Sequence, residues 1–233
     1  VNLTDRAKVL FFDIESTHLK ANFGYCICFG YKYLGDKKPR VLSITDHPGT
    51  KGVTDDSKLM VRVHDLLSNH ADIIVSYYGK EFDRKFLNTR MMMAGLPPLP
   101  PLSYEHVDLY YTARHNLALH SNRLASVAEA VGCPFKKTDL KPMLWVAAMA
   151  GDKAARQYII EHCARDVDVL EYCYKKLRPY IRTHPPVGQR TACHSCGSFK
   201  AQLRGYTIVK AGGRKQRKQC TKCGAWRAEK VEV

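Results

Sequence analysis

Apolar positions along this chain change their spacing, and the changes mark its elements. The segment "KVLFFDIE" is an apolar run rich in strand formers, and "FGYCICFGYKYL" and "PRVLSI" follow in the same manner, predicting a three-stranded β-meander. After a polar loop, "DDSKLMVRVHDLLSNH" takes helical spacing from Asp55 or Asp56 onward, and "DIIVSY" reads as a short buried strand. "KEFDRKFLNTRMMMAG" predicts a helix closed by Gly95, "HVDLYY" a last strand, and "SNRLASVAEAVG" a helix capped by Ser121 or Asn122 and closed by Gly132. "MLWVAAMA" and "DKAARQYIIEHCARDVDVLEYCYKKL" complete a helical half, split at Gly151-Asp152. Strands alternating with helices in this order predict an α/β fold. "PPLPP" at 97–101 is a stiff connector, and "HPPVG" at 184–188 divides the chain, because proline stops a helix there and the composition beyond turns basic and glycine-rich.

One acid sits where the pattern calls for an apolar residue. On a helix turning about 100° per residue, Asp166 lies within roughly 40° of Ala155, Ile159, Leu170, Cys173 and Leu177. His162 lies on the same side one turn earlier, whereas Glu161, Asp168, Glu171 and Lys175 read as solvated charges. A core aspartate satisfied by hydrogen bonds would explain Asp166 equally well. Three further acids change the balance. Asp13 and Glu15 end the first strand two residues apart and so leave the same face of the sheet. Asp83 follows a buried strand and opens a helix, where an acid also suits the helix dipole. A compact α/β fold can bring these four carboxylates to one point, and that concentration of charge calls for divalent metal. Hard oxygen ligands select Mg²⁺ or Mn²⁺ over Zn²⁺. Two such ions about 4 Å apart clamp the attacking and leaving oxygens of a phosphodiester.

The order of these acids resembles the DEDD 3′-to-5′ exonucleases of the RNase H-like superfamily, over roughly residues 7–181. "FFDIEST", "FDRKFLNTR", "HVDLYYTAR", "RLASVAEAVG" and "CARDVDVLEYCYKKL" are similar to segments of the branch that includes the proofreading domains of family B DNA polymerases and related phage and bacterial nucleases. The resemblance implies a mixed five-stranded sheet flanked by helices, with Asp13, Glu15 and Asp166 as metal ligands and Asp83 holding the second ion. The chain departs from that branch twice. Tyr78 stands where the branch commonly has Asn, and His162 stands four residues before the last acid, where the branch has Tyr; the histidine subclass places His five before. Histidine can take a proton near neutral pH, which makes His162 a candidate catalytic base. Asp108 reads as a supporting acid.

Charge and cysteine spacing describe the rest. The 233 residues carry a net charge of +15, of which +9 falls in residues 185–233, and the content is 45% hydrophobic and 25% charged. No apolar run approaches the length of a membrane span or a secretion signal, so the chain reads as cytoplasmic with an anionic partner, nucleic acid and not a membrane. Nine cysteines in such a compartment argue against a disulfide framework. Four of them form "CHSCG" and "CTKCG", knuckles separated by 23 residues, which predict a zinc ribbon with Cys193, Cys196, Cys220 and Cys223 on one structural Zn²⁺ and with "FKAQLRG", "YTIVKA" and "AWRAEKV" as strands. Arg204, Lys210, Arg214, Lys215, Arg217, Lys218 and Arg227 interleave there with aromatics, Trp226 among them, and read as nucleic-acid contacts.

The expectation is therefore a nuclease domain at 1–184 and a basic zinc ribbon at 185–233. The reaction expected is metal-dependent 3′-to-5′ exonucleolysis, DNA being favoured over RNA, with two Mg²⁺ or Mn²⁺ ions in the active site. A structure-selective endonuclease on the same fold and a nonenzymatic nucleic-acid-binding module are the rival readings.

Overall fold

A computed structural model of the chain describes residues 7–46, 53–99, 104–135, 138, 140–181, 184, 185, 187, 192–208 and 213–230. It separates into two compact units, Lys8–Cys173 and a smaller one that takes up the chain from Tyr174. No helix among the described residues is long and apolar enough to cross a membrane.

The larger unit is built on a mixed five-stranded sheet. Strands β1 (Val9–Ser16), β2 (Cys26–Tyr33) and β3 (Arg40–Ser43) form the antiparallel meander, and β4 (Ile73–Ser76) and β5 (Glu105–Asp108) add parallel to the other side of β1, giving the order β3-β2-β1-β4-β5. β1 is thus central and covered on both faces, which is why "VLFF" is continuously apolar. Among the described residues six helices accompany the sheet: α1 (Ser57–Asn69), α2 (Asp83–Met93), α3 (Leu109–Asn116), α4 (Leu124–Ala130), α5 (Pro142–Met149) and α6 (Lys153–Leu177). Leu59, Met60 and Val63 of α1 and Phe86, Leu87 and Met91 of α2 pack into one core with Leu10, Phe12 and Ile14 of β1, where Phe12 stacks on Phe29 at 5.3 Å.

Two buried ionic contacts fix the helices to this core. Arg90 of α2 lies 2.7 Å from Asp56 at the start of α1 and donates to the Ala21 carbonyl at 3.0 Å, while Asp56 also accepts the Cys26 N–H at 2.8 Å. On β2, Lys32 pairs with Asp168 at 2.7 Å and Glu171 at 2.9 Å on α6. These two acids are therefore not the solvated charges that the wheel suggested. The second half of α6 is buried on two sides, so its polar edge faces a buried lysine instead of water.

Two element ends also differ from the sequence reading. "HVDLYY" is strand only as far as Asp108, whose side chain accepts the Tyr110 N–H at 3.0 Å and caps α3, so Leu109 already belongs to a helix. Helix α4 begins behind Arg123, with Ser121 accepting the Arg123 N–H at 3.2 Å and the Asn122 carbonyl accepting the Tyr77 hydroxyl at 2.5 Å. Neither of the expected caps occupies the cap position.

The smaller unit holds the last turn of α6, the 3₁₀ turn Arg178–Tyr180 and an antiparallel three-stranded sheet, β6 (Ala201–Ile208), β7 (Arg214–Cys220) and β8 (Trp226–Lys230). Arg178 donates to the Ser195 carbonyl, and the Tyr174 hydroxyl meets His184 at 2.7 Å. "FKAQLRG" and "YTIVKA" are not separate strands. Their middle forms the single strand β6, irregular between Leu203 and Tyr206 around Gly205 (φ 71°), and the basic run at 214–218 is itself the central strand. The apolar pattern could not show this, because the buried cluster at the knuckles consists of Cys193, Cys220 and Ala225 with two further cysteines.

Gly30 sets the distance between α6 and the sheet. It pairs with Asp13 in the β1–β2 register, and a Cβ there would stand 2.8 Å from Cys163 Sγ and 3.2 Å from Val167 Cγ2. Gly30→Ala should therefore lower the unfolding free energy by about 1–3 kcal/mol, the usual cost of overpacking a filled core. Urea denaturation measures this, and an unchanged midpoint would show that α6 can yield at that point.

Candidate active site

The second half of β1 puts Asp13 and Glu15 on one face, opposite Phe12 and Ile14. Helix α6 crosses that face closely enough for the Cys163 thiol to donate to the Asp13 carbonyl at 3.5 Å. One turn of α6 then presents His162 and Asp166 together, both buried. His162 Nε2 lies 3.5 Å from Asp166 Oδ2 and 3.9 Å from Glu15 Oε1, so the ring stands between an acid of the helix and an acid of the strand. Its other nitrogen, Nδ1, is 2.6 Å from Thr138 Oγ1. Thr138 was not legible as a site residue. It lies 24 residues before His162 in a connecting segment, with no pattern to mark it.

Asp83 enters from the other side of β1. It is the first residue of α2 and buried, and the backbone N–H of Ile14 bonds its carboxylate. Burial raises Asp83 to about 7, the Asp108 charge adds to the rise, and the N–H groups of Asp83 itself and of Ile14 oppose it. The turn before Asp83 is tight: a Cβ on Gly79 would come 2.3 Å from Ser76 Oγ and 3.3 Å from Asp83 Oδ2. Asp108 clamps that turn by accepting the N–H of Tyr78 at 2.8 Å and of Lys80 at 3.0 Å, the supporting role expected of it. Burial first, then the charges of Cys28, Asp56, Asp83 and Glu15, push the Cys26 thiol well above its ordinary value. The four acids stand more loosely than the four cysteines, which are the set of potential ligands among the described residues whose ligand atoms all lie within 4.8 Å of one another.

A strand carrying two acids, a helix returning a third beside a histidine, and a fourth opening the helix after the neighbouring strand define the centre of this unit. Residues 10–178 match the family model of the RNase H superfamily. The chain belongs to that superfamily. It is 28% identical over 144 residues to a DNA polymerase III PolC-type of Ureaplasma parvum serovar 3, an alignment covering 54% of this chain and 10% of that protein. The structure of the family B DNA polymerase from the hyperthermophilic archaeon Pyrobaculum calidifontis shares the fold, with a TM-score of 0.60 at 21% identity, covering 74% of this chain and 25% of that one. The chain thus spans a tenth of the first relative's length and a quarter of the second's.

Outside the RNase H-like unit, the cysteine knuckles form a second centre. Cys193 Sγ lies 3.6 Å from Cys223 Sγ, and Cys196 Sγ 3.6 Å from Cys220 Sγ. These separations are too long for disulfides and close to the roughly 3.8 Å edge of a tetrahedron with metal–sulfur bonds of about 2.3 Å. Gly197 (φ 67°) and Gly224 (φ 74°) close the two knuckles, donating to the carbonyls of Cys193 and Cys220 at 2.8 and 2.9 Å. Burial works against ionisation of Cys220, but the N–H groups of Cys223 and Lys222 outweigh it and bring the thiol down to about 7.

The basic residues of this unit divide between two faces of its sheet. On one, Lys218 pairs with Glu229, which also lies 3.0 Å from Arg227, and Arg214 sits 4.5 Å over the Tyr206 ring. Arg227 further donates to the Ala192 carbonyl at 2.9 Å, tying β8 to the first knuckle. On the other face Lys215 and Arg217 alternate with these, Arg217 lies 5.9 Å over Trp226, and Arg204 reaches Gln219 at 3.2 Å. The one acid in the described strands of this sheet, Glu229, is absent from this second face. Lys210 lies outside the described residues.

The raised Asp83 gives a pH-dependent prediction. Between about pH 4, where an unfolded aspartate ionises, and about pH 7, where this one does, the native state holds a proton that the unfolded state releases, so stability falls as pH rises through that window. Asp83→Asn removes the cost. In chelator it should melt several degrees above the parent protein at about pH 8 and level with it near pH 4, by calorimetry. Equal melting at the higher pH would mean that the buried carboxylate is not destabilised.

Proposed function

We propose that this chain is a divalent-metal-dependent 3′-to-5′ exonuclease acting on DNA, with a zinc-bound basic ribbon that holds the substrate. The observation that carries the reading is the placement of His162 between Glu15 and Asp166, on a helix that the sheet admits only through Gly30. The donor set fits hard cations. It consists of carboxylates from three elements, and Asp83 among them is held near 7 by burial and by Asp108, a penalty that a bound cation would relieve. Asp13, Glu15 and Asp166 would hold one Mg²⁺ or Mn²⁺ and Asp83 the second. Such a pair, when bound, activates a water and stabilises the departing alkoxide.

The chain's own groups supply the rest. With Nδ1 hydrogen-bonded to Thr138, His162 keeps Nε2 turned toward the acids, where it can take the proton of the attacking water. DNA is favoured because both relatives named above are DNA polymerases, of which this chain matches a part. The ribbon's four thiols fit one tetrahedral Zn²⁺, and its Lys215, Arg217, Arg204 and Trp226 face combines phosphate-binding cations with a stacking ring.

End-labelled single-stranded DNA with Mn²⁺ should give a ladder shortening from the 3′ end, whereas a circular single strand should survive; nicking of the circle would favour an endonuclease. Asp166→Asn should reduce turnover about a hundredfold or more. His162→Ala should lose about a hundredfold in rate with little loss of binding, His162→Tyr recovering part by orienting the water. Wild-type cleavage by His162→Ala would return His162 to a packing role.

The ribbon has its own test. Metal analysis should find one zinc per chain, and Cys220→Ser should lose it, together with the protection of residues beyond about 190 from proteolysis, because the cluster at the knuckles is mostly thiols with little apolar area to hold it. Cleavage of short substrates should survive. A metal-free wild-type protein would refute the zinc assignment.

A further inference from the structure

The two cysteine knuckles border an open cleft outside strands β6, β7 and β8. Its volume is about 700 Å³, within the range of small-ligand sites, and it is lined by Gly197, Ser198, Phe199 and Lys200 at the first knuckle and by Thr221 and Lys222 in the second. The knuckles fix its walls. The N–H of Ser198 bonds the Cys196 sulfur and that of Lys222 the Cys220 sulfur, while Thr221 joins the walls by donating its N–H and its hydroxyl to the Lys200 carbonyl at 3.0 and 3.3 Å. Ser198 Oγ accepts the Lys200 N–H at 3.2 Å, which leaves the hydroxyl proton to donate. No acid lines the cleft. Lys200 and Lys222 are exposed and enter no ion pair among the described residues. The Phe199 ring is 58% exposed, and no other ring and no cation among the described residues lies over it, whereas Arg217 already lies over Trp226 on the sheet.

We propose that this cleft binds one unpaired nucleotide of a nucleic-acid strand, with its base on the Phe199 ring and the phosphates on either side of it on Lys200 and Lys222. The proposal deepens the reading of the ribbon as the part that holds substrate and rests on it, adding a site separate from the Lys215, Arg217 and Trp226 face. A phenyl ring carries no hydrogen-bonding group, so it accepts any base whose face is not already stacked in a duplex. The two ammonium groups and the Ser198 hydroxyl suit phosphate oxygens. Four thiolates on one Zn²⁺ keep a net negative charge, which adjacent lysines also balance. That balance gives no reason for an uncovered ring between them.

The test is fluorescence anisotropy of a short single-stranded DNA on the zinc-loaded full chain, without Mg²⁺ or Mn²⁺ and over a range of salt. Phe199→Leu should bind at least about fivefold more weakly at every salt concentration, the effect of losing one stacked base, with zinc content and melting unchanged because the position is exposed. The same variant should bind a fully abasic strand as the wild type does. Lys200→Ala and Lys222→Ala should each flatten the plot of log affinity against log salt by about 0.7, the share of one phosphate on a single strand. Weakening by Arg217→Ala with all three cleft variants unchanged overturns the cleft and keeps the ribbon; no weakening by any of the four removes both. Zinc loss in the lysine variants with the slope unchanged also overturns the proposal, since the lysines then serve the thiolates. A failure of the nuclease reading looks different: no cleavage with Mg²⁺ or Mn²⁺, with the effects of the cleft variants on binding intact.

Discussion

The approach of α6 to the sheet is the contact on which the chemistry of the larger unit depends. At Gly30 the absence of a side chain lets the helix come so close that a Cβ there would also meet the Cys163 carbonyl at 3.3 Å. Because Gly30 is the register partner of Asp13, the closest approach falls beside the acids of β1. From there geometry does the rest. Residues 162 and 166 share a helix face, so the turn that touches the sheet presents a histidine and an acid to Glu15 at the same time. Two residues beyond Gly30, Lys32 secures the second half of the helix through Asp168 and Glu171. Burial opposes the Lys32 charge, and the hydrogen bonds from its two acids more than restore it, so it stays a cation.

Asp83 depends on a different set of constraints. It must sit at the start of α2, and α2 is fixed by Arg90 on Asp56, a pair buried deeply enough that removing either partner would strand a charge at a cost of about 3–5 kcal/mol. The turn before it is fixed by Gly79 and by Asp108. The result is a carboxylate held where its own ionisation is unfavourable, an arrangement that stability alone would not select and that cation binding would reward. The strained Tyr78 belongs to the same turn, so strain, a raised pKa and an exposed aromatic ring all fall within six residues of sequence.

The smaller unit solves the opposite problem. Beneath its sheet the buried cluster is mostly cysteine, and two glycine-closed knuckles bring four thiols within 4.8 Å. A single acid distinguishes the two faces of the sheet. Glu229 neutralises Lys218 and Arg227 on one face and leaves Lys215, Arg217 and Arg204 beside Trp226 on the other.

The linear pattern of residues carried the elements of the larger unit, its α/β class, the cysteine knuckles and the identity of the candidate acids. Each of those is a local property: strand runs, helical spacing, and cysteines paired two residues apart. Where a helix begins was less legible, as at Asp108 and Arg123, because a cap depends on which hydrogen bonds the turn can complete. The strands of the smaller sheet misled because the cluster buried beside it is mostly cysteine, so hydrophobic alternation had little to report. Partnership was decided by tertiary structure alone. Thr138 beside His162, Lys32 between Asp168 and Glu171, and Asp56 beneath Arg90 join residues 24 to 139 positions apart. A charge looks the same in sequence whether it meets water or a buried counter-charge, and only the folded chain determines which it meets.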